Sequence, residues 1–170
     1  MDDELKKTNR WLGDETIVTL LRTGERIPIH GDIERSVSHS ADYQALCFST
    51  DLNLSLFDEF DADACLVIWD PDELARRMQR ALERTGGGLF HHNPVEYFDP
   101  YDAQRHEWID VCMSKDMCFA HQQEYRVIWL PEGAPDRLDP LTIDIGSIID
   151  FADIRTAAEL LGSLPARRTG

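Results

Sequence analysis

The chain has 170 residues, 42% of them hydrophobic and 29% charged, and its 32 acidic against 17 basic side chains give a net charge of −15. That length and balance predict one globular domain, residues 1–170, whose core needs no disulfide or metal to hold it. The charge argues against direct nucleic-acid binding, which needs Lys and Arg to displace counterions. With no apolar run long enough to span a membrane and no signal-peptide core in MDDELKKTNR, a cytoplasmic protein is expected.

Asp2 to Trp11 reads as a short polar helix or a loose arm, with residues 1–13 set apart from the domain. Thr16 to Arg22 is strand-like, and a turn at Thr23-Gly24-Glu25 leads into Ile27 to Ile29, so a hairpin is the simplest reading. Gly31 to Asp42 is polar without a clear period and is expected to be a surface loop or irregular helix. In Tyr43 to Thr50, Ala45-Leu-Cys-Phe predicts a buried strand that ends at the hydroxyls of Ser49 and Thr50; such hydroxyls commonly tie off a turn. An acidic loop follows from Asp51 to Asp63, with a short helix starting at Asn53 or Ser55.

Ala64 to Trp69 is a continuous apolar run, the pattern of a central strand buried on both faces. Asp70-Pro71-Asp72-Glu73 is a helix start, with Asp70 as N-cap, Pro71 at the first helical position and Glu73 at the capping-box position. Leu74, Met78, Ala81 and Leu82 recur at helical spacing, and Arg76, Arg77, Arg80 and Arg84 form a basic outer face. Gly86-Gly87-Gly88 follows this helix, whereas a phosphate-binding glycine loop precedes its helix; a flexible stop is expected. Val95 to Phe98 is a further strand candidate, and Asp102 to Met113 is expected to be helical, with Trp108, Val111 and Cys112 on one side. Leu141 to Ile145 reads as an alternating strand, Ile154 to Leu161 as a helix, and residues 163–170 as a flexible basic tail. Cys47 and Cys65 read as small core residues. Cys112, Cys118, His121 and the His91-His92 pair match no compact zinc-ligand spacing, so no metal is expected.

The stretch the chain is organised around is Ser114 to Pro131. Tyr125-Arg-Val-Ile-Trp is dense in aromatic and β-branched residues and predicts a buried strand closed by Pro131-Glu-Gly. Strand alternation places Gln122, Glu124 and Arg126 on one face and Tyr125, Val127 and Trp129 on the other. Charged and amide groups at the mouth of an apolar strand are costly to bury alone. Either Glu124 and Arg126 sit at the strand's wet end and pair with each other or a neighbour, or Gln122 and Glu124 face a cleft and hold a substrate.

Two segments, Leu46-Cys-Phe-Ser-Thr50 and Ser114 to Arg126 running into Val-Ile-Trp-Leu-Pro, resemble a bacterial and phage domain of unknown function grouped by fold with the ADP-ribosyltransferases. Ile143-Asp-Ile-Gly-Ser-Ile-Ile looks like the strand that follows in such proteins, so the resemblance spans about Tyr43 to Ile149. It implies an α+β single domain with a split, mixed β-sheet and flanking helices. It also implies NAD as substrate. On that mapping Glu124 is the glutamate that holds the nicotinamide ribose and stabilises the charge developing at the anomeric carbon. Gln122 orients the acceptor, Ser49 and Thr50 position Glu124, and Arg22, with Arg126 nearby, meets the dinucleotide. Asp51 stands where the last serine of a full Ser-Thr-Ser is expected.

Two functions are therefore expected to compete. One is NAD-dependent ADP-ribosyl transfer to a protein, or NAD hydrolysis. The other is a non-enzymatic acidic binding protein, such as an immunity protein or phage-type inhibitor, that occludes a basic nucleic-acid-binding surface of its partner.

Overall fold

The computed structural model describes residues 6–12, 17–28, 30–38, 42–102, 110–133 and 137–163. Helices and strands are mixed, as the sequence predicts, and the strands sort into small sheets. At the centre lies a three-stranded antiparallel sheet in the order β5 (Gln44–Ser49), β10 (Glu124–Pro131), β7 (Gly88–Pro94). Its middle strand is the one predicted from Tyr125 to Trp129. Val127, Ile128 and Trp129 are all buried because both edges of β10 are hydrogen-bonded and both faces are covered.

Alternation along β10 divides the core. Tyr125 and Val127 pack with Phe48 and Phe90 against Leu74, Met78, Phe151 and Ala152, whereas Ile128 packs on the other side with Cys112, Met113, Tyr43 and Leu130. The helix that supplies Leu74 and Met78 is α2 (Pro71–Glu83), and it starts as predicted: the Asp70 side chain accepts from the Glu73 amide at 3.0 Å. Its buried residues are Leu74, Met78, Ala81 and Leu82, the apolar stripe of the sequence. The helix α1 (Ser55–Glu59) likewise falls inside the acidic loop, where Asn53 Oδ1 accepts from the Ser55 amide at 3.1 Å.

The hairpin expected near Gly24 is present as β2 (Val18–Thr19) and β3 (Arg26–Ile27), shorter than the apolar runs suggested. Other expectations are corrected. The arm or helix over Asp2 to Trp11 is, where described, the strand β1 (Lys6–Trp11), and the loop over Gly31 to Asp42 contains β4 (Ile33–Ser38); the two pair antiparallel. Polar side chains disguise this ladder, since one face is held by Arg35 stacked 5.5 Å from Trp11 and the other by a Thr8–Ser36 hydroxyl contact of 3.0 Å.

The strand β5 is not buried: it is a sheet edge, and Leu46 is 47% exposed. Nor is β6 (Ala64–Ile68) central, since among the described residues it pairs only with β11 (Ala152–Thr156), and it leaves Leu66 exposed. The glycine triplet is less a flexible stop than a strand entrance, because β7 begins at Gly88. The segment Leu141 to Ile145 forms no strand; Ile143 and Ile145 dock on the core from irregular backbone.

The helix expected from Ile154 starts only at α3 (Ala157–Ser163), where Thr156 and Glu159 cap each other reciprocally. β8 (Glu96–Phe98) lies parallel to β9 (Ser114–Asp116), which leads into a 3₁₀ turn at Met117–Gln122. Of the helix expected over Asp102 to Met113, residues 103–109 with Trp108 lie outside the described residues, as does the tail from residue 164; residues 111–113 form a bend and turn.

No helix among the described residues is long and apolar enough to cross a membrane.

Candidate functional site

The site is assembled where the 3₁₀ turn hands over to β10. Gln123 takes a left-handed conformation, φ 43° and ψ 53°, and its N–H closes the turn on the Ala120 carbonyl. The chain then enters the sheet at Glu124, whose amide donates to the Tyr97 hydroxyl at 2.7 Å and whose carbonyl accepts from the Val95 amide at 2.9 Å. Ser49 sits directly opposite Glu124 in the β5–β10 register, and Cys47 opposite Arg126.

The Glu124 side chain is only 4% exposed. Its Oε1 accepts from Arg126 Nε at 2.7 Å, and its Oε2 from Lys115 Nζ at 2.9 Å. Arg126 is 1% exposed, and its Nη1 donates to the Cys112 carbonyl at 2.7 Å. Lys115, 13% exposed at its side chain, also donates to Gln122 Oε1 at 2.9 Å and lies 5.0 Å from the centre of the Phe119 ring. Gln122 in turn donates from Nε2 to Glu59 Oε1 at 2.5 Å, and the other oxygen of Glu59 meets His121 Nε2 at 2.8 Å. A chain of polar contacts therefore runs from the exposed His121 and Glu59 inward to the buried Arg126.

Its electrostatics follow from that wiring. Burial works to raise the Glu124 carboxyl, but the Arg126, Cys47 and Lys115 donors together overturn it and hold the group down to about 2. The Cys47 thiol is pushed up to about 12, first by its own burial and then by the neighbouring Glu124 carboxylate, so it is no thiolate nucleophile. Cys47 as a residue is exposed on the edge strand; the shift belongs to the thiol, which shares the carboxylate's surroundings. Glu59 is lowered by the contacts from His121 and Gln122. A carboxylate that is anionic throughout the neutral range is no general acid there and only a weak base, but it can accept hydrogen bonds and stabilise positive charge.

Of the residues singled out from the sequence, Glu124, Arg126, Gln122, Ser49 and Thr50 come together. Glu124 and Arg126 do pair, but in a buried position instead of a wet one. Gln122 arrives by a different route from strand alternation: it is the last residue of the 3₁₀ turn and meets Glu124 through Lys115. Ser49 Oγ lies 2.9 Å from the Gln122 carbonyl and 2.8 Å from that of Asp51, and Thr50 Oγ1 donates to the Gln123 carbonyl at 3.1 Å. These hydroxyls fix the backbone that carries Glu124; they donate to carbonyls, not to its carboxylate. Arg22 is exposed in the hairpin turn and, among the described residues, makes no hydrogen bond or ion pair to this cluster.

Sequence reasoning missed Glu59, Tyr97 and the electrostatic part of Cys47. Lys115 falls inside the Ser114 to Arg126 stretch that carries the resemblance, and that is its one signal in the sequence. Among the described residues no group of His, Cys, Asp and Glu is arranged to hold a metal. No protein-family model matches the chain, and no curated protein or solved structure matches it either.

Proposed function

We propose that the chain is an ADP-ribosyltransferase-like domain and that the Glu124 cluster handles NAD, transferring ADP-ribose to a protein or to water. The observation that carries this reading is the convergence of Gln122, Lys115 and the Ser49 strand end on one carboxylate held down to about 2. A fixed anion is what an oxocarbenium-like centre requires. Both Glu124 oxygens already hold a donor and the side chain is only 4% exposed, so a ribose hydroxyl reaches it only where one partner gives way. Lys115 is that partner: it is 13% exposed against 1% for Arg126. Its release from Oε2 would also free an ammonium for the dinucleotide's phosphates.

The test is calorimetric titration of the parent chain with NAD, with nicotinamide release followed in parallel. Binding at millimolar NAD that is weakened in Gln122→Ala and kept in Arg22→Ala supports the reading, because Gln122 touches the cluster and Arg22 does not. Absence of both binding and nicotinamide release in the folded parent overturns it.

A second reading, the non-enzymatic acidic binder, is favoured by how the charges are distributed. Lys7 and Arg126 are buried and Lys115 nearly so, whereas Asp51, Asp58, Asp61, Asp63, Asp70 and Asp72 are exposed. The surface is therefore more acidic than the net charge of −15 conveys. A basic protein partner would be drawn to it, with affinity that falls steeply as salt rises.

A further inference from the structure

Away from Glu124, the outer face of α2 carries a cavity of about 330 Å³ lined by Arg77, Arg80, Arg84, Asp144, Ile145 and Gly146. We propose that this groove binds a small molecule through a phosphate or pyrophosphate group. The inference does not rest on the NAD reading. The helix packs through Leu74 and Met78 on the Tyr125 and Val127 side of β10, and alternation sends Glu124 to the opposite side.

The three guanidinium groups are in different states. Arg77 is built in: Nε donates to Glu73 Oε1 at 2.6 Å, Nη2 to Asp150 Oδ2 at 2.6 Å, Nη1 to the Ser147 carbonyl, and the group lies 4.7 Å from the centre of the Phe151 ring. It forms a fixed wall that ties α2 to the segment after Gly146. Arg84 donates from Nη2 to the Asp144 carbonyl at 3.3 Å and, among the described residues, has no carboxylate partner. Arg80, exposed on the turn between them, has no hydrogen-bonded or ionic partner among the described residues.

Acidic side chains outnumber basic ones 32 to 17, yet neither of these two arginines forms an ion pair among the described residues, although Asp144 lies at the cavity's rim. Arg76, one turn earlier, is by contrast paired with Glu73. The anion at the rim is Asp144, and its Oδ1 is committed to the Gly146 amide at 2.8 Å. Planar guanidinium forks match phosphate oxygens in pairs of charge-assisted bonds. Two unneutralised arginines suit a multiply charged phosphate better than a single carboxylate. The volume falls in the range of small-ligand pockets.

The test is titration of the full chain with pyrophosphate, followed by phosphorus NMR, on the parent, the Arg80→Gln/Arg84→Gln double variant and Gln122→Ala. The expected result is saturable binding that falls by about tenfold or more in the double variant and is unchanged in Gln122→Ala. Both substituted arginines are exposed, so the double variant is expected to keep the parent's thermal transition. No saturation by millimolar pyrophosphate, or equal binding by the double variant, overturns the proposal. Equal competition by a dicarboxylate such as succinate overturns the phosphate assignment. Loss of binding in Gln122→Ala instead would move the ligand to the Glu124 cluster and overturn the groove as its site.

Discussion

Glu124 is where one side chain has most to do. Its carboxyl is held at about 2 against an ordinary 4.5. A depressed carboxyl contributes stability that is fully present above the unfolded value and is lost as pH falls through the folded one. The window is therefore from about pH 4.5 down to about 2. Glu124→Gln removes the anion between two buried cations and is expected to cost on the order of 3–5 kcal/mol near neutral pH, the usual price of breaking a buried pair. Thermal unfolding of both proteins across pH checks this. The gap between their melting temperatures should hold steady above pH 4.5 and close as the pH falls through that window. A gap that persists undiminished to the acid end would mean that packing, not charge, makes the difference. This also shows why stability alone does not separate a catalytic from a structural Glu124. The sequence placed Glu124 and Arg126 together because motif and alternation both pointed there; Gln122 joins them from the end of the 3₁₀ turn, where alternation does not hold. The sequence could not place Glu59, which reaches Gln122 across 63 positions of chain; that contact depends on how α1 folds back on the 3₁₀ turn.

At the scale of elements, local chemistry was the legible part. Asp70-Pro-Asp-Glu started α2, and the β-branched run after Glu124 made β10, because caps and propensities act within a few residues. What was misread depended on partners far away in the chain. Polar β1 and β4 are strands because they find each other, whereas Leu141 to Ile145 has a strand's pattern but pairs with no strand among the described residues. Gly88 is a case where the residue type mattered for a reason the sequence hid. It opens β7 at φ 142°, and a Cβ there would stand 2.2 Å from the Leu130 carbonyl oxygen and 2.7 Å from Trp129 Nε1. Because the first of these is backbone of the central strand, relief would require β7 to draw away from β10. Gly88→Ala is expected to destabilise the fold by about 1–3 kcal/mol. Gly86→Ala, also at positive φ but with nothing within 4 Å of its Cβ, is expected to lose less. Chemical denaturation of the pair measures the difference, and equal losses would show that backbone strain alone decides the outcome.

Over the whole molecule, the arrangement of charge sets how the fold responds to its solvent. Some cations are consumed inside, at Lys7 and Arg126, or fixed at Arg77, while carboxylates are spread over α1, its flanking loops and the start of α2. Like-charge repulsion across such a surface opposes the compact state. Mobile ions screen exposed charges over about 8–10 Å at physiological strength, whereas buried pairs such as Glu124–Arg126 are screened much less. Added salt should therefore relieve the repulsion while sparing the central network, and the melting temperature at neutral pH is expected to rise from low to moderate sodium chloride. Exposed pairs such as Arg10–Glu34 and Arg155–Asp153 pull the other way, but each is about half-exposed and pairs of that kind contribute little. A melting temperature that falls with salt would mean that these surface pairs outweigh the repulsion. A rise repeated by potassium chloride at equal ionic strength would assign the effect to screening rather than to capture of a particular cation by the acidic loop.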